Sequence, residues 1–185
     1  MSEIVRRADA FAEAAHRRVG QLRKYTNTPY IEHPRAVSRL LRDFGHDDPV
    51  LHAGALLHDV IEDCGVSADD LEREFGREIA ALVVEVTDVY VAGSGGTREA
   101  RKILETDRLS RTSRRAQTLK VADLIDNSRS ILAHDPDFAG VYLAEKQRLV
   151  EALRLADPRL RREARRITEQ GLVAIEAKAA KPRPR

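Results

Sequence analysis

Apolar residues recur along this chain mostly at spacings of three and four, and alternating apolar and polar runs are scarce, so the pattern predicts helices nearly throughout. A first helix is predicted over residues 2–19. The polar stretch GQLRKYTNTPYIEH follows and leads into Pro34, a favourable first helical residue, from which a second helix runs to about residue 44. Asp48-Pro49 reads as an N-cap followed by proline at the first helical position, and it opens a third helix that stops at Gly65. Ser67 to Asp70 has the form of a capping box with Asp in place of Glu, starting a short helix to about Phe75. The next helix follows Gly76 and carries Ile79, Leu82, Val83 and Val86. AGSGG, residues 92–96, reads as a flexible loop, with Thr97 capping the helix after it. A long helix is predicted over residues 113–133, ended by HDPDF. Two more lie between residues 138 and 177, divided near Asp157-Pro158. There is no internal repeat and no linker long enough to separate domains. The expectation is an all-α, compact multi-helix bundle, with residues 1–180 as one domain and 181–185 as a basic tail.

One stretch departs from the amphipathic pattern. Every residue from 50 to 61 is apolar or small except His52, His58 and Asp59, and Glu62 and Asp63 follow at once. A helix apolar nearly all round belongs in a core. Isolated carboxylates there would cost on the order of several kcal/mol each, so they need protons, basic partners or a metal. On a helix, His58 and Asp59 can both face one ion lying beside it; Glu62 is i+4 from His58, and Asp63 is i+4 from Asp59. The other reading is an exposed helix end on which Glu62 and Asp63 are solvated. Spacing leaves both open, because two residues do not make a metal site.

His-Asp occurs twice more, as His46-Asp47 in GHDDP and as His134-Asp135 before Pro136. Both read as turn and helix-stop chemistry. Further candidate ligands stand in two segments. His33 directly precedes Pro34, where a capping or surface residue is the ordinary reading. In LKVADLIDNSRS, Val121, Leu124 and Ile125 make an apolar face, with Asp123, Asn127 and Ser130 opposite it. A solvated helix face has that same pattern, so spacing does not choose.

Composition changes the picture little. With 42% hydrophobic and 34% charged residues the chain is globular with a highly charged surface. The 32 basic and 30 acidic side chains nearly cancel, so no global field asks for nucleic acid, although a local basic pocket for an anionic small molecule is compatible. The terminal KPRPR reads as a frayed end rather than a nucleic-acid or membrane contact. The lone Cys64 has no internal disulfide partner, and MSEIVRRADA lacks an apolar signal core; together they favour a reducing cytoplasm. No run is long enough to span a bilayer. Oligomeric state is not legible.

In order, His33, His58-Asp59 and Asp123 resemble the H…HD…D pattern of HD-domain metal phosphohydrolases. The blocks GQLRK…TPYIEHP, ALLHDVIED and LKVADLIDN are similar to the hydrolase domain of RelA/SpoT-type enzymes, and to the stand-alone small alarmone hydrolases among them, over about residues 11–155. No synthetase or regulatory domain is expected in the remainder of these residues. The resemblance implies that His33, His58, Asp59 and Asp123 hold one metal, Mn²⁺ in that family; Fe²⁺, Zn²⁺ or Co²⁺ would also accept such a mixed nitrogen and oxygen set. It implies that Glu62 and Asp63 handle the attacking water and its proton. Arg23 would stack on a purine base with Lys24 beside it, Tyr30 would line the site, and Asn127 and Ser130 would contact the nucleotide. The implied reaction removes pyrophosphate from the 3′ position of guanosine tetra- or pentaphosphate, leaving GDP or GTP. The alternatives are an HD phosphohydrolase acting on another nucleotide, such as an adenine alarmone or NADPH, and a non-catalytic nucleotide-sensing module. Two departures stand out. Cys64 occupies a place where Thr is expected, with packing the expected consequence. AGSGGTREARK differs in length and content from the segment that supplies phosphate-binding cations in the family, leaving Arg98, Arg101 and Lys102 as candidates.

Overall fold

The computed structural model describes residues 2–179. Among them the chain forms ten helices and no sheet: α1 (Glu3–Arg18), α2 (Glu32–Asp43), α3 (Pro49–Leu57), α4 (Val60–Cys64), α5 (Ala68–Phe75), α6 (Arg77–Val86), α7 (Arg98–Ser110), α8 (Arg114–His134), α9 (Pro136–Ala152) and α10 (Pro158–Ala179). An isolated antiparallel bridge, Leu22 with Pro29, closes the polar loop between α1 and α2. The all-α bundle expected from periodicity is the fold observed. The basic tail lies outside the described residues. Among those described, no helix is long and apolar enough to cross a membrane.

Capping residues act where the sequence puts them. Asp48 accepts from the Val50 amide at the start of α3, with Pro49 at the first helical position. Ser67 and Asp70 form a full capping box on α5. Thr97 and Ser113 accept from the amides of Ala100 and Ala116.

α3 is the central element, packed by α1, α2, α6 and α8. Its apolar circumference finds core on two sides. Leu51 and Ala55 join Leu41, Leu119, Leu124, Ile125 and Leu153, while Leu57 joins Ala8, Ala12, Val60, Leu71 and Val83. Truncating one of the fully buried leucines to Ala would cost about 2–5 kcal/mol. Gly54 lets α6 approach closely: a Cβ there would lie 2.6 Å from Leu82 Cδ2.

Two expectations are corrected, and one reading that spacing left open is decided. α2 begins at Glu32 rather than at Pro34, so His33 lies inside the first turn. Pro34 is still tolerated, because the first-turn amides have no intrahelical partner. The single helix expected from Asp48 to Gly65 is broken at His58-Asp59 into α3 and α4. There the His58 ring takes the Ala55 carbonyl (Nδ1 to O 2.8 Å), which the Asp59 amide would use in an uninterrupted helix. Finally, the polar side of α8 is not a solvated face. Every residue from 116 to 125 is buried, and Asp123 is 8% exposed.

Candidate metal centre

The helix break gives His58-Asp59 its geometry. With Nδ1–H donating to the Ala55 carbonyl, the tautomer is fixed and the Nε2 lone pair points away from its own helix. Asp59 opens α4 without capping it with its side chain. Its carboxylate instead accepts from the Tyr30 hydroxyl at 2.7 Å and lies 3.1 Å from His58 Nε2. The early start of α2 brings His33 to the same point. Its Nδ1–H donates to Asp126 Oδ2 at 2.7 Å, and its Nε2 lies 3.7 Å from Asp59 Oδ2 and 3.1 Å from Asp123 Oδ1. Asp123 Oδ1 is also 3.7 Å from His58 Nε2.

His33 and His58 are 1% and 2% exposed, and neither Nε2 makes a hydrogen bond among the described residues. Two buried, unsatisfied imidazole nitrogens facing carboxylate oxygens form the donor set of a cation site. His33, His58 and Asp59 present one ligand atom each, all within 4.8 Å of one another, a triad that fits a divalent metal. The electrostatics agree. Burial works against charge on both histidines, yet Asp123 and Asp126 around His33, and Asp59 and Asp123 around His58, outweigh it and raise both pKa values. Burial likewise opposes charge on Asp59, but His58 and His33 hold its pKa below the ordinary carboxylate range. The centre favours positive charge.

Glu62 and Asp63 stand at the solvent side of α4 and are exposed as residues. Glu62 Oε1 accepts from the Asp88 amide at 2.7 Å. Desolvation of its carboxyl, with Asp88 and Asp59 nearby, lifts its pKa to about 7 against the opposing pull of Lys120. Asp63 Oδ2 accepts from Gln21 at 2.9 Å, and Gln21 is fixed in turn by His16 at 2.6 Å. Cys64 Sγ lies 3.2 Å from that same His16 nitrogen. Burial lifts its thiol to about 11, so Cys64 stays protonated and acts by packing.

The remaining sequence candidates are differently placed. Arg23 is largely buried and paired with Asp126 at 3.3 Å, which ties it to the His33 support. Lys24 is exposed and reaches Asp135 at 3.3 Å. Asn127 donates to Asp123 Oδ1 at 2.6 Å and so orients that carboxylate. Ser130 is partly buried one turn further along α8. Of the cations in the atypical segment, Arg98 is held by both oxygens of Glu145, at 2.7 and 2.8 Å, and Arg101 by the loop carbonyls of Gly95 and Gly96. Lys102 reaches Asp88 at 3.5 Å.

Sequence reasoning missed Asp126, Lys120 and Asp88. Asp126 is three residues after Asp123 on α8, a spacing that could have flagged it. Lys120 lies one turn before Asp123; it is buried and 3.0 Å from Asp88 Oδ1 and 3.8 Å from Asp123 Oδ2. Asp88 follows α6 with no local signal at all.

A family model describing an HD domain matches residues 8–172. The guanosine-3′,5′-bis(diphosphate) 3′-pyrophosphohydrolase MESH1 of Homo sapiens is 36% identical over 138 residues, covering 74% of this chain and 73% of that protein. A probable guanosine-3′,5′-bis(diphosphate) 3′-pyrophosphohydrolase of Synechocystis is 36% identical over 136 residues, 72% of this chain but only 17% of that longer protein. Among solved structures, a metazoan ortholog of SpoT that hydrolyzes ppGpp superposes with a TM-score of 0.83 at 32% identity, covering 93% of this chain and 98% of that one. The chain belongs to the HD-domain family, and within it is related in sequence and structure to the SpoT and MESH1 type of hydrolase.

Proposed function

We propose that this protein is a metal-dependent phosphohydrolase that removes the 3′-pyrophosphate of guanosine tetra- or pentaphosphate, giving GDP or GTP and pyrophosphate. The observation that carries the reading is the pair of buried, unsatisfied Nε2 atoms of His33 and His58 converging on Asp59 and Asp123. The relatedness to MESH1 supports the substrate. Asp123 is the fourth ligand in this reading, and the ion is Mn²⁺, for which a mixed set of imidazole and carboxylate is suitable. When bound, a divalent cation supplies Lewis acidity here, activating water and neutralising phosphoryl charge.

The chain's own residues divide the remaining work. Glu62, anchored by the Asp88 amide and with a pKa of about 7, takes the proton of the attacking water. Asp63, held by Gln21, orients that water. A bond forms from the water oxygen to phosphorus, the bond to the ribose 3′ oxygen breaks, and that oxygen recovers a proton. Tyr30 fixes Asp59, and Asn127 fixes Asp123, so both carboxylates are preorganised. Arg23 and Lys24 border the site on the side of the α1–α2 loop and would receive the base, Arg23 through its planar guanidinium. Ser130, with Asn127, lies on the nucleotide side of α8. The expected setting is cytoplasmic, with a small nucleotide rather than nucleic acid or a membrane as partner.

The test is to incubate purified, Mn²⁺-loaded protein with guanosine tetra- and pentaphosphate, an adenine counterpart and NADPH, and to measure released pyrophosphate and phosphate. Pyrophosphate is expected from the guanosine compounds. Release from no 3′-pyrophosphorylated nucleotide would sink the proposal.

A further inference from the structure

Beside the metal centre three lysines from three helices surround one aspartate. Lys102 of α7 and Lys120 of α8 lie 3.5 Å and 3.0 Å from the Asp88 carboxylate, and Lys146 of α9 lines the same recess. The other carboxylates there are already engaged, Glu105 by Arg108 and Glu145 by Arg98. Lys146 shares Asp88 at longer range and has no hydrogen bond or ion pair of its own among the described residues. Its ammonium stands 5.1 Å from the centre of the Tyr142 ring. Burial and repulsion from Lys120 and Lys102 lower its pKa to about 8, so it still carries its charge at neutral pH. An ammonium partly withdrawn from water and held among like charges is stabilised when an anion meets it.

The recess itself holds about 20 Å³, room for one water-sized group. It shares Lys102 and Glu145 with a groove of about 710 Å³ between α7 and α9. Lys120 links it to the metal centre, being 3.8 Å from Asp123. A ligand with phosphate at two places could therefore put one at the metal and one oxygen of another between these lysines.

We propose that Lys146, with Lys102, is a phosphate-recognition site that binds a phosphate group other than the one attacked, reached from the groove between α7 and α9. This rests on the nucleotide phosphohydrolase reading of the metal centre. It also separates the present chain's phosphate side from Arg98 and Arg101, whose side chains are committed elsewhere.

Inorganic pyrophosphate is the probe. Calorimetric titration into the metal-loaded protein should show an affinity about tenfold weaker in Lys146→Met, as expected for losing a charge-assisted contact. Lys146→Arg should restore it to within about threefold, and Lys102→Met should show a smaller loss in the same direction. With nucleotide, Lys146→Met should raise KM by a similar factor and leave kcat nearly unchanged, the pattern of a contact made equally in ground and transition states. Unchanged pyrophosphate affinity in both Met variants, or no pyrophosphate binding by the unaltered protein, overturns the proposal. If no nucleotide is hydrolysed at all, the proposed reaction fails while the titration still reads the lysines.

Discussion

At two places this chain breaks a helix on the dipeptide His-Asp, and the two breaks serve different ends. At the α8–α9 junction, His134 returns its Nδ1–H to the Ser130 carbonyl at 2.8 Å, and Asp135 caps α9 by accepting from the Phe138 amide at 3.3 Å. The other Asp135 oxygen takes the Tyr25 hydroxyl at 2.8 Å. His134 is exposed, so its second nitrogen has water. At the α3–α4 junction, His58 makes the same kind of return bond, to the Ala55 carbonyl. There the likeness ends. Asp59 leaves α4 uncapped, forgoing on the order of 1 kcal/mol of helix stabilisation, and turns its carboxylate into a buried cluster. The difference teaches that a functional carboxylate is recognised by the local task it has given up. Asp135 spends one oxygen on its helix cap and the other on Tyr25, whereas Asp59 presents one to a point that His33, His58 and Asp123 also face.

The comparison breaks most sharply on the ligands. His58→Ala or Asp59→Ala should lose bound metal, read by elemental analysis, and at least about 10³-fold in turnover, because nucleophile activation depends on the ion. Retained metal with full turnover in either variant would place the chemistry elsewhere. Glu62→Ala should keep its metal and lose on the order of 10²–10⁴-fold in kcat, the range for a positioned general base. Metal lost along with turnover would instead make Glu62 a ligand. Asp126→Asn is a smaller effect of another kind. It weakens the carboxylate that fixes the His33 tautomer, so metal affinity measured against a competing chelator should fall about 10–100-fold. An unaltered affinity would mean that Asp126 serves Arg23 rather than His33.

Much of this was legible in the sequence, and what was not has definite causes. Helix positions followed from capping residues and apolar spacing, because Asp48-Pro49, Ser67 and Thr97 act through neighbours within three positions. The break at His58-Asp59 was not legible, since no Gly or Pro stands beside it to signal a stop and the competing bond comes from a histidine side chain. α8 stayed open for a different reason. The positions opposite its apolar stripe read equally well as solvated; the approach of other elements, α2 through His33 and the α6–α7 segment through Asp88 among them, buries Lys120 and Asp123, and such approach leaves no trace in the periodicity of one helix. Asp126 and Asp88 matter through partners 93 and 32 residues away, His33 and Lys120, which no local pattern encodes.

The mildest expected effect completes the contrast. Asp135→Ala removes the α9 cap and the Tyr25 contact, both partly buried, and the exposed Lys24 contact. The melting temperature should drop by about 2–4 °C, the size of one lost cap in a domain of this length. Metal content should be unchanged, because no Asp135 oxygen is directed at the cluster. Turnover should change by no more than about threefold, through the altered environment of Lys24. The informative outcome is the opposite one. If Asp135→Ala were to lose metal, or to lose turnover as heavily as Asp59→Ala, the capping bond would not distinguish the two breaks. The rule that separates a working His-Asp from a structural one would then have to come from burial alone, on which His58, at 2% exposure, and the exposed His134 already differ.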